Sequence, residues 1–171
     1  MNLINYLINY FKKGDQTMNL STNFPISEYT KSMTAIRKGI DNSMSDKHLI
    51  SAKALFKHIV QPVRDQFGIT NISSGYRSPK LNRAIGGSAR SQHSKAEAAD
   101  FECQHASTIQ VAEWIADNLD FDQLILEFYT PGDPSSGWVH CSYKSTAKNR
   151  NQILTAVKED GKTVYKSGFV T

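Results

Sequence analysis

The sequence predicts an α+β fold, with a small, mostly antiparallel sheet and helices packed on one side of it. Helical periodicity dominates the first half of the chain, whereas short apolar runs between turn residues dominate the second half. The length of 171 residues suits one domain with a sizeable core. We expect residues 21–171 to form this domain and residues 1–20 to be an extension, either disordered or a short amphipathic helix.

The clearest predicted helix spans residues 47–67, where apolar side chains recur at steps of three and four. Pro62 lies inside this pattern and predicts a kink or a restart, and Gly68 is a typical helix end. A second helix begins at the Ser-Thr pair 107–108, either of which can cap it, and runs to about residue 119.

Strands are predicted where short apolar or alternating runs meet turn residues. They are ITNIS, AADFEC, FDQLILEFY and WVHCSY, and the terminal segment ILTAVKEDGKTVYKSG predicts a hairpin that turns at Asp160-Gly161. The segments SGYRSPKLN and IGGSARSQHSKAEA are rich in turn residues and predict loops.

The net charge of +4 and the pI of about 9.0 indicate a mild preference for an anionic partner. Basic residues are scattered and only KSTAKNR concentrates them, so we expect no nucleic-acid partner. No run reaches the roughly 18 apolar residues of a membrane span, so we expect no stable membrane insertion. Cys103 and Cys141 are too few for a disulfide scaffold, and they fit buried thiols, one disulfide or spectators near a metal site.

Three residues, His93, Asp100 and His140, offer the donor set of a catalytic zinc site. Zinc accepts imidazole nitrogen and carboxylate oxygen, and a catalytic site holds three protein ligands and leaves one position open. His93 and Asp100 lie at the two ends of one loop-to-strand segment, and His140 lies in the otherwise apolar strand WVHCSY. Each residue alone has an ordinary alternative, since a lone histidine is usually a core or surface residue and an aspartate often serves a turn.

Glu127 is the candidate general base. It lies among apolar neighbours in FDQLILEFY, where an unpaired carboxylate is costly. Symmetric pairing of the strands about the loop 130–137 places Glu127 opposite His140, on the same face of the sheet. A carboxylate there can take a proton from a water molecule at the metal. The alternatives are a structural salt bridge or an acceptor for the second nitrogen of His140, and a one-residue bulge would change the register.

Arg77, in the turn SGYRSP, is the candidate substrate-binding residue. A guanidinium group binds a carboxylate in a bidentate fork, so an arginine beside a zinc site suits a peptide substrate that carries a carboxylate. The alternative is a solvated arginine, which is the usual state of arginines in loops.

The segment SGYRSPKLNRAIGGSARSQHSKAEAADFE, followed by GWVHCSY, resembles the zinc D-alanyl-D-alanine carboxypeptidase and L-alanyl-D-glutamate endopeptidase family. This family includes phage endolysins and vancomycin-resistance dipeptidases. Its signature is Ser-x-His-x-x-Gly-x-Ala-x-Asp with a later Trp-x-His, and the matching residues are Ser91, His93, Ala98, Asp100, Trp138 and His140. The resemblance covers about residues 69–143.

The resemblance implies a zinc peptidase that acts on peptidoglycan. It implies His93, Asp100 and His140 as zinc ligands, and Arg77 and Ser91 as residues that hold a substrate carboxylate or carbonyl. Zinc would polarise the scissile carbonyl and lower the pKa of its water.

Two positions depart from the family pattern. The signature glycine is Ala96 here, and an alanine with a positive φ angle carries strain of about 1 kcal/mol or more. Many members carry the catalytic carboxylate three residues before the last histidine, and that position is Gly137 here. The base must then come from elsewhere, with Glu127 the first candidate, Asp133 the second and Glu97 the third.

We therefore expect a monomeric zinc metallopeptidase that hydrolyses an amide bond in the peptidoglycan stem peptide. The alternative is a catalytically inactive wall-binding or virion structural protein on the same fold, which Gly137 motivates. The start of the chain lacks the basic region and the cleavage site of a signal peptide. We expect synthesis in the cytoplasm and action on the cell wall after release, or as part of a virion.

Overall fold

The structure, a computed structural model, describes residues 18–170. Most of the predicted N-terminal extension, residues 1–17, lies outside the described residues. The described helices are α1 (Ile26–Thr30), α2 (Met33–Lys38), α3 (Asp46–Leu55), α4 (Gln61–Phe67), α5 (Pro79–Ala84) and α6 (Thr108–Asn118). A π turn (Phe56–Val60) joins α3 to α4, and a 3₁₀ turn (Gln92–Lys95) follows α5.

Eight strands are described, two of them in a small sheet of their own. They are β1 (Asn19–Ser21), β2 (Phe24–Pro25), β3 (Thr70–Ser74), β4 (Ala98–Cys103), β5 (Gln123–Glu127), β6 (Trp138–Ser142), β7 (Gln152–Glu159) and β8 (Lys162–Ser167). The main sheet has the order β3-β4-β6-β5-β7-β8, and every pair in it is antiparallel except the parallel pair β5–β7. The predicted α+β fold with a mostly antiparallel sheet is confirmed.

The main sheet has two faces of opposite character, because successive side chains of a strand point to opposite sides. One face is apolar and packs against α3, α4 and α6; its fully buried members include Phe101, Leu124, Leu126, Val139 and Cys141. The alternate positions of β4, β5 and β6 form the other face and line a cleft that contains Asp100, Ile125, Glu127, Trp138 and His140. The helical layer thus supports the sheet from behind and leaves the polar face open.

The predicted helix over residues 47–67 is present, but it is interrupted. The N–H of Gln61 donates to the carbonyl of Phe56, five residues earlier, which is the bond of a π turn. The wider turn directly precedes Pro62, which has no N–H for the helical ladder. Gly68 ends the helix with a φ of 77°, as predicted.

One predicted loop is wrong in its second half, because the segment SGYRSPKLN contains the start of α5. The side chain of Ser78 accepts a hydrogen bond from the N–H of Leu81, and Pro79 occupies the first turn. A serine N-cap followed by proline is a recognised helix start, so the signal was present in the sequence. The cap matters for the site because the cap residue, Ser78, directly follows Arg77.

Two further findings concern the whole described chain. Both cysteines are free thiols, Cys141 buried and Cys103 half-buried. Among residues 18–170, no helix is long and apolar enough to cross a membrane.

Asp122, next to β5, connects the segment after β6 to the main sheet through hydrogen bonds and ion pairs. Its fully buried carboxylate accepts hydrogen bonds from Arg150 (Nη2–Oδ2 2.6 Å) and from Gln92 (Nε2–Oδ2 2.8 Å), and Lys144 Nζ lies 3.1 Å from Oδ1. Burial alone raises the pKa of Asp122, but these donors outweigh it and lower the pKa to about 2. Since Gln92 begins the 3₁₀ turn, the same carboxylate also steadies the segment that carries His93.

Asp122→Asn is expected to lower the free energy of unfolding at pH 7 by about 2 kcal/mol, because charge-assisted hydrogen bonds are lost. The carboxyl pKa is depressed in the folded state, from 3.8 to about 2, so its contribution is present above pH 4. It is lost as the pH falls from about 4 to about 2. In urea unfolding, the difference in the free energy of unfolding between wild type and Asp122→Asn should therefore be smaller at pH 3 than at pH 7. A constant difference would contradict the assignment; Asp117→Asn, an exposed change on α6, is the control.

Candidate metal centre

The structure brings His93, Asp100 and His140 together at the base of the open cleft. One ligand atom from each residue lies within 4.8 Å of the others, and all three side chains are buried. Asp100 and His140 are direct partners across β4 and β6, so the sheet register itself places them side by side. His93 reaches the same point from the 3₁₀ turn that precedes β4. Among the described residues this is the one such group of histidine, cysteine and carboxylate side chains.

The tautomer of His93 is fixed by the backbone. Its Nδ1 lies 2.8 Å from the carbonyl oxygen of Gly75, and a carbonyl only accepts, so Nδ1 must carry the proton. Burial lowers the pKa of His93 and favours the neutral ring, although Asp100 opposes this shift. The neutral ring then presents the bare lone pair of Nε2, 3.3 Å from Oδ1 of Asp100. Two acceptors that face each other in a buried site call for a cation between them.

Asp100 is the shared partner of both rings. Its Oδ1 lies 2.7 Å from Nδ1 of His140 and 3.3 Å from Nε2 of His93. Burial alone would raise the pKa of Asp100, but the two histidines outweigh burial and hold the pKa below its ordinary value. The carboxylate is therefore charged at neutral pH, as a metal ligand must be.

The donor set fits zinc. Two imidazole nitrogens and one carboxylate oxygen converge, which is the three-ligand pattern of catalytic zinc sites with one position open. The hydrogen bond from His93 to Gly75 is the kind of outer contact that orients a metal-binding imidazole.

Glu127 lies in the same cleft, but the predicted pairing with His140 is wrong. His140 pairs with Ile125, and Glu127 pairs with Trp138, so the register differs by two residues from the symmetric one. Phe128 and Gly137 have φ angles of 55° and 67°, and they close the hairpin earlier than symmetric pairing assumes. An even shift keeps side chains on the same face, so Glu127 remains a diagonal neighbour of His140.

The environment of Glu127 suits proton transfer. Its side chain is half-buried, and burial followed by the nearby Asp100 carboxylate raises its pKa from the ordinary value of 4.5. His140 and Arg77 act in the opposite direction without reversing the shift. A carboxylate with a raised pKa is a stronger base, which is the property that general-base catalysis requires.

Gly137 has no room for a side chain. A Cβ at this position would overlap the backbone of Glu127 to Tyr129, and its φ of 67° also favours glycine. The chain thus brings the backbone of Gly137 against the end of β5, where Glu127 is located. The backbone geometry of the hairpin therefore favours glycine at position 137 and leaves no space for a carboxylate side chain there.

Arg77 and Ser91 both line the cleft, as the substrate-binding prediction requires. Arg77 is half-buried, and its backbone N–H donates a hydrogen bond to the backbone carbonyl of His93. Its Nε is buried without a hydrogen-bond partner among the described residues, whereas most buried polar atoms in proteins have one.

The two alternative bases lie elsewhere. Asp133 is exposed, and its Oδ1 accepts hydrogen bonds from the N–H and the hydroxyl of Ser135. Glu97 precedes β4 and is half-buried, and neither residue is among those that line the cleft. Two cleft contacts escaped the sequence prediction: the Gly75 carbonyl, because backbone acceptors leave no residue-type signal, and Tyr165, which is distant in sequence.

Comparison with known proteins identifies the family of the chain. The peptidase M15 family model matches residues 22–142, which is more than half of the chain. The chain belongs to the peptidase M15 family. Membership in this family makes the protein a metallopeptidase, and the His-Asp-His group could hold a metal ion. No curated protein matches the chain.

Ala96 occupies the signature glycine position and has a left-handed conformation, with φ 57° and ψ 32°. It ends the 3₁₀ turn and reverses the chain between His93 and β4. This conformation costs an alanine about 1–2 kcal/mol. The turn that aims His93 at Asp100 therefore carries backbone strain.

Ala96→Gly is expected to change the free energy of unfolding by less than about 1 kcal/mol, because relief of strain offsets the loss of a buried methyl group. Ala99→Gly is the matched control, since Ala99 is equally buried but lies in β4 without a positive φ. It should destabilise by about 1–2 kcal/mol more than Ala96→Gly. Chemical unfolding of both variants checks this, and equal costs would contradict strain at Ala96.

Proposed function

We propose that this M15 peptidase is a zinc enzyme that hydrolyses an amide bond in the stem peptide of bacterial peptidoglycan. The observation that carries the proposal is the buried group of His93, Asp100 and His140 with Glu127 in the same cleft. His93 through Nε2, Asp100 through Oδ1 and His140 would hold the metal. When bound, zinc supplies Lewis acidity, which polarises a carbonyl group and acidifies a water molecule.

Glu127 acts as the base. It takes a proton from the attacking water, whose oxygen bonds to the scissile carbonyl carbon. The C–N bond then breaks, and Glu127 returns the proton to the leaving amine nitrogen. The second proton of the water passes from the new carboxyl group to the amine, so the products are a carboxylate and an ammonium group, and Glu127 is ready for a second cycle.

Arg77 and Ser91 position the substrate. The partly unpartnered guanidinium of Arg77 binds a carboxylate of the stem peptide in a fork, and the Ser91 hydroxyl donates to a substrate carbonyl. Holding both ends of the peptide fixes the scissile bond near the three ligands. The net charge of +4 favours approach to the anionic cell wall, where an endolysin-like enzyme acts after release.

Zinc binding is tested on metal-free protein. One equivalent should bind, and a free zinc concentration 1,000 times the Kd should stabilise the fold by about 4 kcal/mol, seen as a rise in Tm. Asp100→Asn and His140→Ala should lose most of this rise, whereas His105→Ala, a change at an exposed histidine, should keep it. A rise that survives in His140→Ala would contradict the ligand set.

Hydrolysis is tested with purified peptidoglycan and zinc-loaded protein, with products identified by mass spectrometry. Wild type should release peptide fragments whose masses identify the bond. Glu127→Gln should lower kcat at least 100-fold and still bind zinc, because it removes the base and keeps the ligands. Glu113→Gln, a carboxylate change on α6 behind the sheet, should leave kcat unchanged.

Two results would redirect the proposal. Full activity in Glu127→Gln together with loss in Asp133→Asn would move the base to the 130–137 loop. A wild-type protein that binds one zinc and cleaves nothing would instead favour a wall-binding protein without peptidase activity.

A further inference from the structure

The C-terminal hairpin, β7 and β8, lies outside the residues that match the M15 family model, yet it contributes to the cleft. The family match ends at residue 142, and the hairpin begins at residue 152. Tyr165 of β8 nevertheless lines the cleft together with the three candidate ligands. This contribution is specific to the part of the chain that the family pattern does not cover.

The sheet register explains how a residue so distant in sequence reaches the site. Glu127 of β5 pairs with Ala156 of β7, and Ala156 pairs with Tyr165 of β8. Residues paired directly across neighbouring strands project to the same face. Tyr165 therefore points to the face that carries Glu127, in the same row across the sheet.

The residue between them is small. Ala156 is fully buried and carries only a methyl group, so no large side chain separates Tyr165 from Glu127 in this row. Tyr165 itself is 56% exposed, and it is the one aromatic residue of β8, whose other residues are polar or, in the case of Val164, half-buried. An exposed ring at the edge of a cleft is a common contact for ligands.

The phenol of Tyr165 also interacts electrostatically with carboxylates of the cleft. Burial, the Glu127 carboxylate and the Asp100 carboxylate, in that order, raise the pKa of Tyr165 above its ordinary value of 10. The hydroxyl is therefore protonated at neutral pH and can donate a hydrogen bond to a carbonyl oxygen.

We propose that Tyr165 and Ile125 form a substrate subsite on the wall of the cleft opposite Arg77. The ring of Tyr165 packs on the peptide backbone or on an apolar side chain of the stem peptide, and its hydroxyl donates to a substrate carbonyl. Arg77 would bind a carboxylate of the peptide, and Tyr165 an uncharged part of it. This subsite rests on the proposed function, and its test separates the two.

Binding is measured without turnover. Glu127→Gln loaded with zinc is the parent, and a synthetic stem pentapeptide is titrated by calorimetry. Adding Tyr165→Ala should raise the Kd about tenfold, and adding Tyr165→Phe about threefold, because the first removes ring and hydroxyl and the second only the hydroxyl. Val164→Ala, on the opposite face of β8, is the control and should leave the Kd unchanged.

Kinetics on the wild-type background give a second measurement. Tyr165→Ala should raise KM about tenfold with kcat within about twofold, since a contact present in both ground and transition state changes KM alone. If Tyr165→Ala melts below the assay temperature, the threefold effect of Tyr165→Phe decides the matter.

The outcomes are distinguishable. An unchanged Kd in both Tyr165 variants, with the parent binding the peptide, would overturn the subsite and leave the peptidase proposal intact. A parent that binds no peptide, combined with a wild type that cleaves none, would overturn both.

Discussion

The pairing of β4 with β6 at Asp100 and His140 is the constraint on which the site depends. A slip of one residue in either strand would move one of the two side chains to the helical face. The apolar partners on that face, such as Phe101 and Val139, make the slip costly, because it would bring them into water. The hydrophobic core therefore fixes the position of two of the three candidate ligands.

The third candidate ligand, His93, is positioned by local contacts rather than by strand pairing. His93 is aimed by a short 3₁₀ turn, a left-handed alanine and one hydrogen bond to Gly75. Gln92 connects that turn to the buried carboxylate of Asp122 and through it to the segment after β6. A strained turn and polar contacts thus position His93, whereas strand pairing positions Asp100 and His140.

Much of this arrangement could be predicted from the sequence. The ligand candidates were found from residue type and spacing, and the strands that carry them from short apolar runs between turns. The hairpin register was not predictable, because the positive φ angles at Phe128 and Gly137 set it. Tyr165 was missed for a different reason: its approach to the cleft depends on a parallel pair, β5–β7, whose partners lie far apart in the chain.

The hydrogen bond between His93 and Gly75 has a consequence for how the protein acquires its metal. Structural zinc modules fold only as the ion binds, because their ligands are free until then. Here the three donors are oriented by strands, by a turn and by a backbone carbonyl, all of which are contacts within the protein. We therefore expect metal loading to be a reaction of a folded domain, in which a chelator removes the ion and leaves a folded protein that can take up another.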